Sequence, residues 1–98
     1  MKKISAEELK NLTEKNQIVN ILDVREAKEV AEGKIPGSVN IPLGLLEFRL
    51  HELDKSTEYI VVCRSGGRSG QAVQFLESQG FHAINMTGGM LAWKGETE

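Results

Sequence analysis

Short runs of aliphatic and β-branched residues alternate with helical patterns along the whole chain. The strongest run is "YIVVC" at 59–63, and "IVNILDV" at 18–24 is a second. Two shorter runs, "VNIP" at 39–42 and "HAIN" at 82–85, also predict strands. Continuous apolar strands separated by helices are typical of a parallel sheet that is covered on both faces. The sequence therefore predicts an α/β fold.

Helical patterns occupy the segments between these strands. Ser5 and Glu8 have the spacing of a capping box, which predicts a helix over 6–15. A short polar helix that ends near Gly33 is predicted in "REAKEVAEGK", and the apolar positions of "LGLLEFRLHEL" predict an amphipathic helix over 43–53. A helix over 68–79 that ends at Gly80, and a short last helix in "GGMLAWK", complete the pattern.

Length, charge and cysteine content narrow the class of protein. The 98 residues predict a single domain, 1–98. A formal net charge of −2 argues against nucleic-acid binding, and no apolar run is long enough for a membrane span. A single cysteine cannot form an internal disulfide, and the first residues lack the pattern of a secretory signal. We therefore expect a cytoplasmic, reducing location.

The only cysteine, Cys63, ends the strongest predicted strand, at the edge where parallel sheets bind ligands. Gly66 and Gly67 allow the following loop to turn until several N–H groups point at one place, an arrangement that binds anions. The predicted helix adds its free N–H groups. Four loop side chains add positive charge or hydroxyl donors: Arg64, Ser65, Arg68 and Ser69. Such surroundings lower the pKa of a thiol from about 8.5, which makes it a nucleophile at neutral pH.

Each of these residues alone has a simpler interpretation. A lone cysteine at the end of a buried strand is usually a small apolar core residue. A single arginine is usually a solvated surface charge, and Ser69 is a good helix cap. A core cysteine needs no anion-binding surroundings, however, so the cluster as a whole favours a reactive cysteine.

Three segments in this order resemble the single-domain rhodaneses, a family of sulfurtransferases. They are "LDVREAKEVAEGKIPGSVNIPL", "YIVVCRSGGRSGQAVQFLESQGF" and "GGMLAW", and the resemblance covers nearly the whole chain. It implies a three-layer fold in which helices flank a five-stranded parallel sheet. It also implies a sulfurtransferase that moves a sulfane sulfur from thiosulfate or a persulfide donor to cyanide, a thiol or a protein acceptor.

The resemblance assigns roles by position. Cys63 would carry the transferred sulfur as a persulfide, and the N–H groups of residues 64–69 would surround the terminal sulfur. Arg64 and Arg68 would contact the anionic donor. Asp23 and Arg25, which match the family's "DVR", would support the site from behind, or would form only a local ion pair at a strand end.

Loop length bears on the alternatives. The fold resembles that of dual-specificity phosphatases, whose loop has five residues between cysteine and arginine. Here four residues separate Cys63 from Arg68, Val62 stands where those enzymes often have histidine, and no nearby acid is available to a leaving group. A phosphatase or arsenate reductase is therefore disfavoured. A regulatory module of this fold, or a partner-dependent persulfide carrier with little thiosulfate activity, stays open.

The remaining candidate residues are interpreted as structural. His51 and His82 have no ligand spacing, so both are predicted to lie on the surface. Trp93 is predicted to pack over the last helix. We expect no metal site and no cofactor.

Overall fold

The computed structural model describes residues 1–98 and contains one sheet of five strands. The strands are Lys2–Ser5 (β1), Asn20–Asp23 (β2), Val39–Asn40 (β3), Glu58–Val62 (β4) and His82–Thr87 (β5). Their spatial order is β1-β5-β4-β2-β3, and every neighbouring pair is parallel. All carboxyl ends therefore lie at one edge, with β4 in the middle. The predicted α/β fold class is confirmed.

Three α-helices accompany the sheet: Ala6–Glu14 (α1), Ala27–Ala31 (α2) and Gly67–Ser78 (α3). The capping box predicted at the start of α1 is present, because the Glu8 N–H donates to Ser5 Oγ and the Ser5 N–H donates to Glu8 Oε1, each at 3.0 Å. Gly80 follows α3 with a φ of +88°, a conformation that favours glycine. None of the helices has the length and hydrophobicity needed to cross a lipid bilayer.

The two faces of the sheet have separate cores. Val61 and Cys63 point to one face, where α3 contributes Ala72, Val73 and Leu76. Ile60 and Val62 point to the other face, where Ala6 and Leu9 of α1 cover them. Each fully buried aliphatic side chain contributes about 1.5–3 kcal/mol relative to exposure. The strand that ends at Cys63 is therefore fixed from both sides.

The structure differs from the sequence prediction in three segments. β1 is not among the predicted strands; it is an edge strand whose Lys2 and Lys3 are exposed, and it pairs only with β5. The amphipathic α-helix predicted over 43–53 is wrong, since this segment forms two 3-10 helices, Leu43–Phe48 and Leu50–Glu52. The predicted last helix is a single 3-10 turn, Met90–Ala92.

The break in the 43–53 segment has a local cause. Arg49, with a φ of −123°, leaves the helical region between the two 3-10 helices, and no side chain caps the first one. The apolar positions still reach the core: Leu46 is buried, and Leu43, Leu50 and Leu53 pack against the same cluster. The apolar pattern thus identified the inward residues but not the type of helix.

Candidate active site

Cys63 lies immediately after β4, at the carboxyl edge of the sheet. Its carbonyl accepts the Met90 N–H at 2.8 Å, which fixes the backbone from the β5 side. Only 1% of the residue is exposed. The thiol is therefore held at the bottom of the loop that leads into α3.

Hydrogen-bond donors surround the sulfur. The Gly66 N–H donates to Cys63 Sγ at 3.0 Å, and the Ser69 Oγ lies 3.3 Å from the same sulfur. The N–H groups of Ser65 and Ser69 also lower the pKa of this thiol. Gly66 has a φ of +108°, a left-handed conformation that allows the loop to close above the sulfur. The Gly66 N–H thus points at Cys63 Sγ, and the convergence of the N–H groups of residues 64–69 on a bound sulfur stays a prediction.

The surroundings change the acidity of this thiol in two opposing ways. Burial raises the pKa of Cys63, whereas hydrogen bonds from the Ser69 hydroxyl and from the N–H groups of Ser69, Gly66 and Ser65 lower it, and the net result is a lowered pKa. The Gly66 N–H donates to the sulfur, the thiol donates to Ser69 Oγ, and no carboxylate hydrogen-bonds to the sulfur. The site therefore stabilises a thiolate or another anionic sulfur, and it holds no general acid at the sulfur.

Asn85 of β5 was not among the residues predicted from the sequence. The Ser69 hydroxyl donates to Asn85 Oδ1 or to the Gly66 carbonyl, and Asn85 Nδ2 donates to that carbonyl at 3.4 Å. Ser69 and Asn85 are both buried, so their hydrogen bonds are shielded from water. One signal in the sequence could have identified Asn85: it is a polar residue between the apolar Ile84 and Met86.

Gly88 and Gly89, which follow β5, lie against the loop that holds Cys63. Gly89 has a φ of +59°, and a Cβ at this position would overlap the carbonyl group of Arg64. The Leu91 N–H donates to that carbonyl at 3.0 Å. The "GGMLAW" segment therefore packs its backbone directly against the cysteine loop. Only glycine at position 89 permits so close a contact.

Arg68 is held by a residue that the sequence did not indicate. Its Nη1 and Nη2 donate to the two carboxylate oxygens of Glu29 on α2, at 2.6 and 2.8 Å. The hydrogen bonds from Arg68 and from the Glu26 N–H lower the pKa of Glu29 to about 2. The predicted contact of Arg68 with a donor anion stays a prediction, and its guanidinium is bound by a carboxylate in this structure.

Arg64 is exposed, and none of the ion pairs in the structure includes it. It lines a shallow groove of about 310 Å³ together with Glu29, Glu32 and Leu91. This groove opens beside the cysteine loop. Arg64 is therefore the loop arginine without a carboxylate partner, and its contact with a donor anion stays a prediction.

Asp23 and Arg25 bind each other. Arg25 Nη2 donates to Asp23 Oδ2 at 2.8 Å and to the Gly33 carbonyl at 2.8 Å, and both side chains are almost fully buried. The pair joins the end of β2 to the end of α2, and neither residue hydrogen-bonds to Cys63. The structure therefore shows the local ion pair at the strand end. The alternative interpretation, that Asp23 and Arg25 support the cysteine site from behind, stays a prediction.

The residues interpreted as structural lie where expected. His51 and His82 are exposed, which confirms their surface position. Trp93 is half-buried against the core on the α1 face, and its Nε1–H donates to the Glu96 carbonyl at 2.9 Å. None of them takes part in the cysteine site.

Comparison with known proteins agrees with this geometry. A family model described as "Rhodanese-like domain" matches residues 5–96. The chain is 45% identical over 98 residues to "Putative sulfurtransferase YtwF" of Bacillus subtilis, covering 100% of this chain and 95% of that protein. It is 44% identical over 96 residues to "Putative sulfur carrier protein YrkF" of the same organism, covering 97% of this chain and 52% of that protein.

A solved structure gives the same result. The crystal structure of a rhodanese-like domain protein from Staphylococcus aureus has a TM-score of 0.94 and 40% sequence identity, covering 100% of this chain and 97% of that chain. The similarity extends over every strand and over the loop that holds Cys63. The chain belongs to the rhodanese-like domain family.

Proposed function

We propose that this protein is a sulfurtransferase that moves a sulfane sulfur from thiosulfate or a persulfide donor to a thiol or cyanide through a persulfide on Cys63. Family membership and similarity to a sulfurtransferase support sulfur transfer in general. The observation that carries the specific proposal is the set of N–H and O–H donors around the sulfur of the only cysteine.

In the first half of the reaction, the Cys63 thiolate attacks the outer sulfur of the donor. The bond between the donor's two sulfurs breaks, and its electron pair leaves with sulfite or with the donor thiolate. The new bond joins Cys63 Sγ to the transferred sulfur, whose negative charge the loop N–H groups stabilise. Because Cys63 is so deeply buried, a donor must present a small terminal atom, as both thiosulfate and persulfides do.

In the second half, an acceptor attacks the outer sulfur and Cys63 leaves as the thiolate, which the same donors stabilise. The chain has no second cysteine, so it cannot discharge the persulfide internally as a disulfide. The sulfur must leave to an external thiol, to cyanide or to a protein. A cytoplasmic location, as predicted from the sequence, would supply such thiols.

We assign Arg64 to contact with the anionic donor, because it lines the groove without a carboxylate partner. The backbone of residues 65–69 binds the transferred sulfur, and Ser69 adds its hydroxyl. Asp23 and Arg25 would act only by fixing the position of α2. No step requires a metal or cofactor, a membrane or a nucleic acid.

A second candidate is a persulfide carrier that receives sulfur from a protein partner and has little activity with thiosulfate. The observation that favours it is the ion pair between Arg68 and Glu29, which occupies one of the two loop arginines. Similarity to a protein described as a sulfur carrier agrees with it. Both candidates require the same Cys63 persulfide.

Replacement of Cys63 tests the proposal. Cys63→Ser is nearly isosteric, so the fold should persist while sulfur transfer to cyanide is lost with every donor. Activity would be measured with thiosulfate and with a small persulfide, and folding by circular dichroism and urea unfolding. Turnover with thiosulfate separates the enzyme from the carrier. Transfer activity that persists in a folded Cys63→Ser protein would refute the proposed mechanism.

A further inference from the structure

The groove beside the cysteine loop carries no excess of positive charge. Its lining includes two arginines, Arg25 and Arg64, and two carboxylates, Glu29 and Glu32. Arg25 is also paired with Asp23, and Glu29 is paired with Arg68, which does not itself line the groove. Only Arg64 among the three arginines has no carboxylate partner. An entrance built to attract a doubly charged anion would show a net positive charge instead.

Glu29 is the carboxylate of this groove that pairs with an arginine of the cysteine loop. It accepts both forked hydrogen bonds of Arg68, and the Glu29 and Arg68 side chains keep 26% and 34% of their surface exposed, so part of the ion pair faces the solvent. Arg68 belongs to the first turn of α3, the same turn whose N–H groups face the sulfur. A dianion that approaches the cysteine loop along this groove therefore meets the Glu29 carboxylate and finds Arg68 already bound.

We propose that Glu29 is a specificity-determining residue that disfavours dianionic donors such as thiosulfate and favours singly charged persulfides. The inference rests on the proposed sulfur transfer. With a persulfide R–S–S⁻ as donor, the Cys63 thiolate bonds to the outer sulfur while the donor's S–S bond breaks. The electron pair of that bond leaves with the thiolate R–S⁻, and Cys63 becomes the persulfide anion with one added sulfur. No oxidant or reductant is consumed, and the approaching donor carries one charge fewer than thiosulfate.

The test compares two donors on wild-type protein and Glu29→Gln. The donors are thiosulfate and the persulfide of 2-mercaptoethanol, and the readout is the rate at which intact mass gains one sulfur. Glu29→Gln should raise the thiosulfate rate on the order of tenfold, because it removes a like charge and frees Arg68. The persulfide rate should change by less than about threefold.

A matched control comes from the opposite end of β4. Glu52 accepts two hydrogen bonds from Arg49, from Nε at 2.6 Å and from Nη2 at 2.8 Å, so it is also held by an arginine through two bonds, but it precedes β4. Glu52→Gln should change neither rate. A gain with thiosulfate in both variants would show a general effect of lower negative charge and would overturn the role of Glu29.

Salt dependence of the wild-type protein provides a measurement that needs no variant. If the entrance has no net positive charge, raising the salt concentration should change the thiosulfate rate by less than about twofold. A steep fall of the thiosulfate rate with salt would overturn the inference. An equal loss of rate with both donors in Glu29→Gln would also overturn it, because it would show that Glu29 only holds the loop in position. Wild-type protein that takes sulfur from neither donor would refute the proposed function itself.

Discussion

Removal of the Ser69 hydroxyl should raise the pKa of Cys63. The Ser69 Oγ lies 3.3 Å from the sulfur and is completely buried, so it acts on the thiolate without competition from water. A hydrogen bond to a charged group contributes about 1.5–3 kcal/mol, and one pKa unit corresponds to about 1.36 kcal/mol. The Gly66 carbonyl and Asn85 Oδ1 compete for the same hydroxyl hydrogen. We therefore expect Ser69→Ala to raise the pKa of Cys63 and to destabilise the thiolate by about 1.5 kcal/mol, the lower end of that range.

The assay is the rate of alkylation by iodoacetamide as a function of pH. Cys63 is the only cysteine, so no other thiol contributes to the signal. Ser65→Ala is the matched control, because Ser65 acts on the sulfur through its backbone N–H, which the substitution keeps. Ser65→Ala should leave the pKa in place. An unchanged or lower pKa in folded Ser69→Ala would refute the assignment of the hydroxyl as a thiolate donor.

Two further substitutions test the support of the loop. Gly89→Ala should lower the free energy of unfolding by about 1–3 kcal/mol for the backbone conformation alone. The new Cβ would also overlap the Arg64 carbonyl, so transfer activity should fall as well. Gly44→Ala, with open space around its Cβ, is the control, and equal urea midpoints for the two variants would contradict the reasoning. Arg68 and the Glu26 N–H lower the pKa of Glu29 from 4.5 to about 2, so this carboxylate stabilises the fold above pH 4.5 and loses that effect as the pH falls toward 2. At neutral pH, the free energy of unfolding measured with urea should be about 1 kcal/mol higher for the wild-type protein than for Glu29→Gln. This difference should shrink below pH 4.5, and a difference independent of pH would contradict the assigned ion pair.

Much of the fold follows from local sequence patterns. Runs of buried β-branched residues identified β2 and β4, and the Ser5–Glu8 capping box identified the start of α1. Cys63 could be placed at the carboxyl edge of the sheet because it ends an apolar run and precedes a glycine-rich loop and a helix. These features depend on residues that are close together in the chain.

The features that the sequence did not predict depend on distant partners. β1 is short and mostly exposed, and only its pairing with β5, at the other end of the chain, makes it a strand. Glu29 and Arg68 are 39 residues apart, and Ser69 and Asn85 are 16 apart. No local pattern marks Glu29, rather than the flanking Glu26 or Glu32, as the partner of Arg68. Such contacts become visible only when the sheet brings α2, α3 and β5 to one edge.

The most direct test of the proposed mechanism is the intact mass of the protein after incubation with a sulfur donor and removal of that donor. The wild-type chain should gain one sulfur atom, keep it while no thiol is present, and lose it in one step when a thiol is added, because Cys63 has no internal partner. Cys63→Ser should gain none. No added sulfur on the wild-type protein with either thiosulfate or a persulfide, or an equal gain in Cys63→Ser, would contradict a Cys63 persulfide.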